Sequence, residues 1–302
     1  MTPSHMQQVL GVDAGNSKTV ALVARLDGTV MGWGRSGCGD ISNRDVGEEA
    51  ALANIVEAVA AALEMAEVRP EGLSAKALSL AGADWPEDFD FLRASLGRFP
   101  WGGGALIVND AIGALRAGSP DGYGVAVVCG TYAVSAARAP GGRSWHASFW
   151  QETGGGFKLG EAALWAVYRA ELGIDAPTSL TTAVLASAAQ DTVEEMLHAF
   201  TARHSEPPVE VTALARILLE QAEVGDATAR RIVEEQGAIL GDYALAAARQ
   251  VGLEGSSFTL VLTGGVFRHP SELLAEAVVA RVCESVPGVR PLRSRFEPVV
   301  GA

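Results

Sequence analysis

Gly11-Val12-Asp13-Ala14-Gly15-Asn16-Ser17-Lys18-Thr19 is the stretch on which the reading of this 302-residue chain turns. The apolar run from Val9 to Val12 predicts a short strand with Asp13 at its end. Small polar residues follow, able to turn backbone N–H groups toward an anion, and Asp13 is then a candidate ligand for hydrated Mg²⁺. The same residue types also make an ordinary tight turn. Two better-known phosphate motifs are excluded. Asp13 interrupts the glycines that a dinucleotide fingerprint requires, and Ser17 stands where a P-loop needs Gly before Lys-Thr. Both motifs also open a helix, whereas Val20-Ala21-Leu22-Val23 continues as a strand.

Outward from that loop, Thr19 to Leu26 and Thr29 to Gly34 read as strands joined by the hairpin signal Asp27-Gly28. The order strand, polar loop, strand, turn, strand then recurs. Val125 to Cys129 is an apolar strand, Gly130-Thr131-Tyr132 a loop and Ala133 to Arg138 a strand; Pro140-Gly141-Gly142 turns into Ser144-Trp145. The chain reads as internally duplicated. Between the copies, Leu52, Ile55, Val56, Val59 and Leu63 recur at helical spacing, and Ala75 to Leu80 and Ala105 to Val108 read as buried strands. Alternating helices and strands predict an α/β fold. Beyond the second copy the chain is more helical, with helices through Leu164 and Tyr168 and through Ile232 and Tyr243. Further helices are expected over residues 175 to 208, on the outer face of the second domain. A last strand, Thr259 to Leu262, runs into Thr263-Gly264-Gly265, and a helix follows from about Ser271 to Glu284. The domains are expected at 1–112 and 113–302. Gly130-Thr131 repeats the place of Asp13 to Gly15, so the two loops are expected to pinch a polyphosphate across a central cleft. Gly264-Gly265 would let an adenine ring or ribose lie against the backbone, or would mark close packing of any kind.

At 48% apolar residues the chain can bury two cores. A formal charge of −13 argues against a nucleic-acid or anionic-membrane partner, since both demand a concentrated Lys/Arg face. Phosphate must therefore be met locally, by loops and a metal ion. Cys38, Cys129 and Cys283 form no C-x-x-C pair, so neither a disulfide framework nor a zinc site is expected and a reducing compartment fits. Met1 to Leu10 has neither the charged nor the apolar region of a signal peptide, and no stretch reaches the ~18 apolar residues of a membrane span. A cytoplasmic protein is expected. Ser4-His5-Met6, which is also how a cloning remnant would read, is left out of the fold argument.

In these loops the sequence resembles the acetate and sugar kinase, heat-shock chaperone and actin superfamily. Among its branches it is most similar to the BadF/BadG/BcrA/BcrD ATPase family, which includes the N-acetylglucosamine kinases. The resemblance spans nearly the whole chain. It rests on Gly11 to Thr19, Leu80-Ala81-Gly82, Asn109-Asp110-Ala111, Gly130-Thr131, Glu152 to Gly160 and Leu262-Thr263-Gly264-Gly265-Val266-Phe267, in that order and spacing. It implies two ribonuclease-H-like domains with ATP between them and phosphoryl transfer to a hydroxyl of an amino sugar, such as N-acetylglucosamine or glucosamine. Asp110 would be the catalytic base and Asp13 the Mg²⁺ ligand. Gly15, Asn16, Ser17, Lys18, Thr19, Gly130, Thr131, Gly264 and Gly265 would bind ATP, and Asn43, Gly82, Asn109 and Glu152 the sugar. Asp110 could instead cap the helix beginning near Ala111, and Asn43 could simply form a turn. A homodimer is a further expectation.

The match departs at three places. Members read Gly-Thr-Gly-Ser where this chain has Gly130-Thr131-Tyr132-Ala133, so a Tyr side chain stands where Gly leaves room for phosphate. They read Asp-Glu-Gly-Ser-Gly where it has Glu152-Thr153-Gly154-Gly155-Gly156, and Gly-Gly-Trp-Gly where it has Ser144-Trp145-His146-Ala147. His146 is either a polar substrate contact or an ordinary surface residue. These departures leave open a sugar- or nucleotide-binding relative without catalysis, and the family name also covers a second alternative, a reductase-activating ATPase. The latter needs several thiolates for an iron–sulfur cluster, and dispersed cysteines argue against it.

Overall fold

A computed structural model describes residues 7–152, 154–204 and 206–302. Ser4-His5-Met6 and Thr153 of the quoted segments lie outside these. The first sheet is built from β1 (Gln8–Ala14), β2 (Thr19–Arg25), β3 (Val30–Ser36), β4 (Leu73–Leu80) and β5 (Leu106–Asn109), in the order β3-β2-β1-β4-β5. β2 runs antiparallel to β1 and β3, whereas β4 lies parallel to both β1 and β5. Leu10, Val12 and Ala14 alternate along β1 into the core, where Ile55, Ala58, Val59 and Ala62 of α1 (Glu48–Ala66) share their cluster. Helices α2 (Pro86–Leu96) and α3 (Asp110–Gly118) follow β4 and β5.

The second sheet contains β6 (Gly124–Cys129), β7 (Ala133–Arg138), β8 (Ser144–His146), β9 (Thr259–Thr263) and β10 (Arg290–Arg293), in the order β10-β9-β6-β7-β8. Read from its β8 edge, this is the order of the first sheet. The duplication expected from sequence is therefore a repeated topology. Helices α4 (Gly155–Glu171), α5 (Leu180–Ala188), α6 (Val193–Thr201), α7 (Leu214–Glu223) and α8 (Ala227–Val251) are all inserted between β8 and β9, and α9 (Leu273–Ser285) precedes β10. The first sheet ends with β5 at Asn109 and the second begins with β6 at Gly124, with α3 between them. The compact packing units interleave along the chain, one comprising residues 1–126, 136–148 and 294–302 and the other 127–135 and 149–293.

Residues 294–302 return to the first unit. Their short 3₁₀ turn, Pro298–Gly301, packs on α3 and β1 and buries Val299. Ahead of it, Glu297 Oε2 meets Lys18 Nζ at 2.9 Å. Among the described residues no helix is long and apolar enough to cross a membrane.

Candidate active site

Parallel strands end together, and the loops after their carboxyl ends form one crevice in an open α/β sheet. In the first unit these strands are β1, β4 and β5, and their ends gather most of the residues singled out in the sequence. Asp13 pairs in register with Ser79, and Leu80 with Asn109. The loop after β1 is closed by Gly15 N–H donating to Lys18 O at 3.0 Å. Thr19 is buried and donates its hydroxyl to Gly37 O at 3.0 Å, so it anchors the loop from beneath. Asn43 does two jobs. Its Oδ1 accepts from the Asp45 and Val46 amides, which is the turn-forming role, and its Nδ2 donates to Asn16 Oδ1 at 2.7 Å, tying its loop to the β1 hairpin. Gly82, after β4, packs against residues 40–42 so closely that a Cβ there would lie 2.9 Å from Asp40 Oδ1.

Asn109, not Asp110, caps α3: its Oδ1 accepts from Ala111 N at 3.1 Å. Asp110 is the first helical residue, which removes capping as its sole purpose. Its residue surface is half-buried, yet so much protein surrounds the carboxyl that loss of water dominates its chemistry. That burial, with repulsion from Asp84 and Asp40, outweighs the pull of the Ala111 and Asp110 amides and pushes the pKa up to about 7. Asp84, Asp40, His146 and Ser148 were not singled out as site residues in the sequence, except His146 as a two-sided case. Asp84 Oδ1 accepts from Ser148 Oγ at 2.6 Å and from Asn109 Nδ2 at 3.1 Å, and His146 Nδ1 lies 3.7 Å away. Burial is the largest influence on Asp84 and raises its pKa; the hydrogen bond from Ser148 and the proximity of His146 oppose it.

The second unit repeats the pattern at the ends of β6 and β9. Gly130 N–H donates to Tyr132 O at 2.9 Å; the amides of Gly156 and Phe157, in the first turn of α4, donate to Gly130 O and Thr131 O at 2.8 and 3.0 Å. Gly264 lies against this knot at φ 103°, where a Cβ would come within 2.4 Å of Cys129 O. Gly265 next to it faces open space. Gly130, Thr131, Gly264 and Gly265 are thus brought together. Glu152 departs from them toward α8, its N–H donating to the Tyr243 hydroxyl at 3.0 Å. The Tyr132 ring is half-exposed and tilts against Phe157 at 6.2 Å between centroids.

The residue pattern of the BadF/BadG/BcrA/BcrD ATPases matches residues 10–302 of this sequence. The chain belongs to that family. Two family-like relatives align along almost all of it. The N-acetyl-D-glucosamine kinase of Dictyostelium discoideum is 24% identical over 97% of this chain and 95% of its own length. The N-acetylmuramic acid/N-acetylglucosamine kinase of Clostridium acetobutylicum is 26% identical over 90% of this chain and 89% of its own. A Chromobacterium violaceum structure assigned as an N-acetylglucosamine kinase has a TM-score of 0.67 at 21% identity, covering 99% of this chain and 98% of that one. That likeness is one of fold. With the repeated sheet order it identifies the family's architecture here as α/β with two ribonuclease-H-like domains.

Proposed function

We propose that this family member is an ATP-dependent sugar kinase that phosphorylates a hydroxyl of an amino sugar, with N-acetylglucosamine and glucosamine as the first acceptors to test. The observation that carries the reading is Asp110, a carboxyl surrounded by protein at the end of β5 whose proton affinity is matched to neutral pH. Phosphoryl transfer needs little covalent help from protein; it needs an oriented acceptor, a group to take the hydroxyl proton and charge stabilisation around the phosphates. Asp110 would take that proton as the new O–P bond forms and the bond to ADP breaks.

Among the described residues no three His, Cys, Asp or Glu side chains come together as a metal cage. Mg²⁺ suits this, because it binds readily through one carboxylate, waters and substrate phosphates. Asp13 is the residue that would hold it, and when bound it would offset charge developing on the phosphates. In the same reading Gly15, Asn16, Ser17, Lys18, Thr19, Gly130 and Thr131 receive phosphate, with Gly15 and Gly130 leaving no side chain in the way. Gly264 and Gly265 take the adenosine; Asn43, Gly82, Asn109 and Glu152 take the sugar. Residues 1–112 and 113–302 are the two domains of a cytoplasmic protein, a homodimer, with no nucleic-acid partner. Neither alternative gains support. The Tyr132 ring leans on Phe157, and Cys129, a thiolate candidate for a cluster, is buried with its thiol pushed up to about 12.

ADP release across a sugar panel tests the reading. Saturable stimulation by an amino sugar is expected, and Asp110→Asn should lower kcat about 10²–10⁴-fold. Absence of stimulation by any sugar, or unaltered turnover in Asp110→Asn, would overturn it.

A further inference from the structure

Ser148 sits between two partners that compete for its hydroxyl. Asp84 Oδ1 is 2.6 Å from Ser148 Oγ and His146 Nδ1 is 2.7 Å from it. A hydroxyl has one hydrogen to give, and an ionised carboxylate can only accept. The hydrogen therefore goes to Asp84, and the hydroxyl oxygen accepts from His146 Nδ1–H. A neutral imidazole with its hydrogen on Nδ1 carries a lone pair on Nε2. No described residue bonds to that Nε2. We propose that His146 reads a donor of the acceptor sugar, a hydroxyl or amide N–H, through Nε2, and that Ser148 and Asp84 are positioning residues that fix the tautomer making this possible.

Three further observations support it. First, Ser148 is held at φ 24°, a backbone region that costs a non-glycine residue about 1 kcal/mol or more, and strain of this kind persists where a side chain is needed in one place. Second, the Asp84 oxygen that holds Ser148 also accepts from Asn109, the cap of the helix that begins with Asp110. The sugar-reading nitrogen and the proposed base thus hang from one carboxylate. Third, burial lowers the pKa of His146, and Asp84, the charged group facing it, opposes this more weakly, so the ring is neutral at pH 7.

That the ligand is a sugar rests on the kinase reading, so the test separates the two. Affinity for N-acetylglucosamine and glucosamine is measured by calorimetry, which needs no turnover, beside steady-state KM for sugar and for ATP. His146→Leu should weaken sugar binding about tenfold or more with KM for ATP unchanged, a step worth ~1.4 kcal/mol. His146→Gln, whose amide oxygen can stand near Nε2, should recover most of the loss. Wild-type affinity should weaken as pH falls below the ring's ordinary 6.5, and His146→Gln should not follow it. If His146→Leu lowers the melting temperature of the unliganded protein, Ser148→Ala decides, since it keeps the imidazole and frees its tautomer; a few-fold loss of sugar affinity is expected. Unchanged affinity in His146→Leu or Ser148→Ala, or a His146→Gln no better than His146→Leu, overturns the inference while leaving a turning-over kinase intact. A wild type that binds sugar without turnover overturns the kinase reading alone, and one that binds neither sugar overturns both.

Discussion

At the scale of single residues, Asp110 in its proposed role joins activity to stability with opposite signs. Its folded pKa of about 7 lies above the ordinary 3.8, so the folded state holds a proton that the unfolded chain has lost. The contribution to stability is full below 3.8 and disappears as pH rises through about 7. The proposed base is therefore least comfortable in the form that accepts a proton. Asp110→Asn should raise the melting temperature at pH 8 by a few degrees, measured by calorimetry, while turnover collapses; a fall would refute the burial argument. Asp84→Asn removes the larger of the two carboxylate repulsions on Asp110, so the acid limb of kcat/KM should move to lower pH. Asn109-Asp110 was legible from its motif, because the acid follows a buried strand and opens a helix. Asp40, Asp84 and Ser148 were not, since nothing local in the sequence joins positions so far apart; strand order does.

Among elements, most strands were legible because alternation and apolar runs survive in them: β2, β6 and β7 fall within a residue of expectation. Two helices were not assigned. α2 carries Phe89, Leu92 and Leu96 at helical spacing, but Pro86, Glu87, Asp88 and Asp90 dilute that pattern. α7 lies in an insertion with no counterpart in the first copy. Gly264-Gly265 reads as either packing device or nucleotide contact; Gly264 is the packing device, and Gly265 faces open space, where the adenosine is proposed to lie. Gly264→Ala would drive a Cβ into Cys129 O at a positive φ, so it should destabilise by about 1–3 kcal/mol in urea melts. Gly265→Ala meets nothing within 4 Å and should melt like wild type, while raising KM for ATP if adenosine lies there. Equal melting of the two variants would reject this division.

Across the whole molecule, what the sequence could not disclose is the return of residues 294–302 to the first unit, because the Lys18–Glu297 pair spans 279 positions with no local signal. The pair itself should matter little. Its side chains are 34% and 42% exposed, and Glu297→Gln should cost less than about 1 kcal/mol. Packing behind it should matter more. A Cβ on Gly301 would lie 2.0 Å from Gly113 O of α3, so Gly301→Ala should cost about 1–3 kcal/mol and depress turnover by shifting the helix that carries Asp110. Denaturant melts of the two variants rank these effects, and a larger loss for Glu297→Gln would reverse the argument.

That returning segment also sets an order of assembly during translation. Residues 8–118 emerge early from the ribosome with both β1 and α3 already made, yet the surface they share stays bare until residues 294–302 have been added. A nascent chain folding from its amino end must therefore hold that apolar face in waiting while the whole second sheet and its helices are synthesised. Asp110, proposed above as the proton acceptor, is encoded early and seated last.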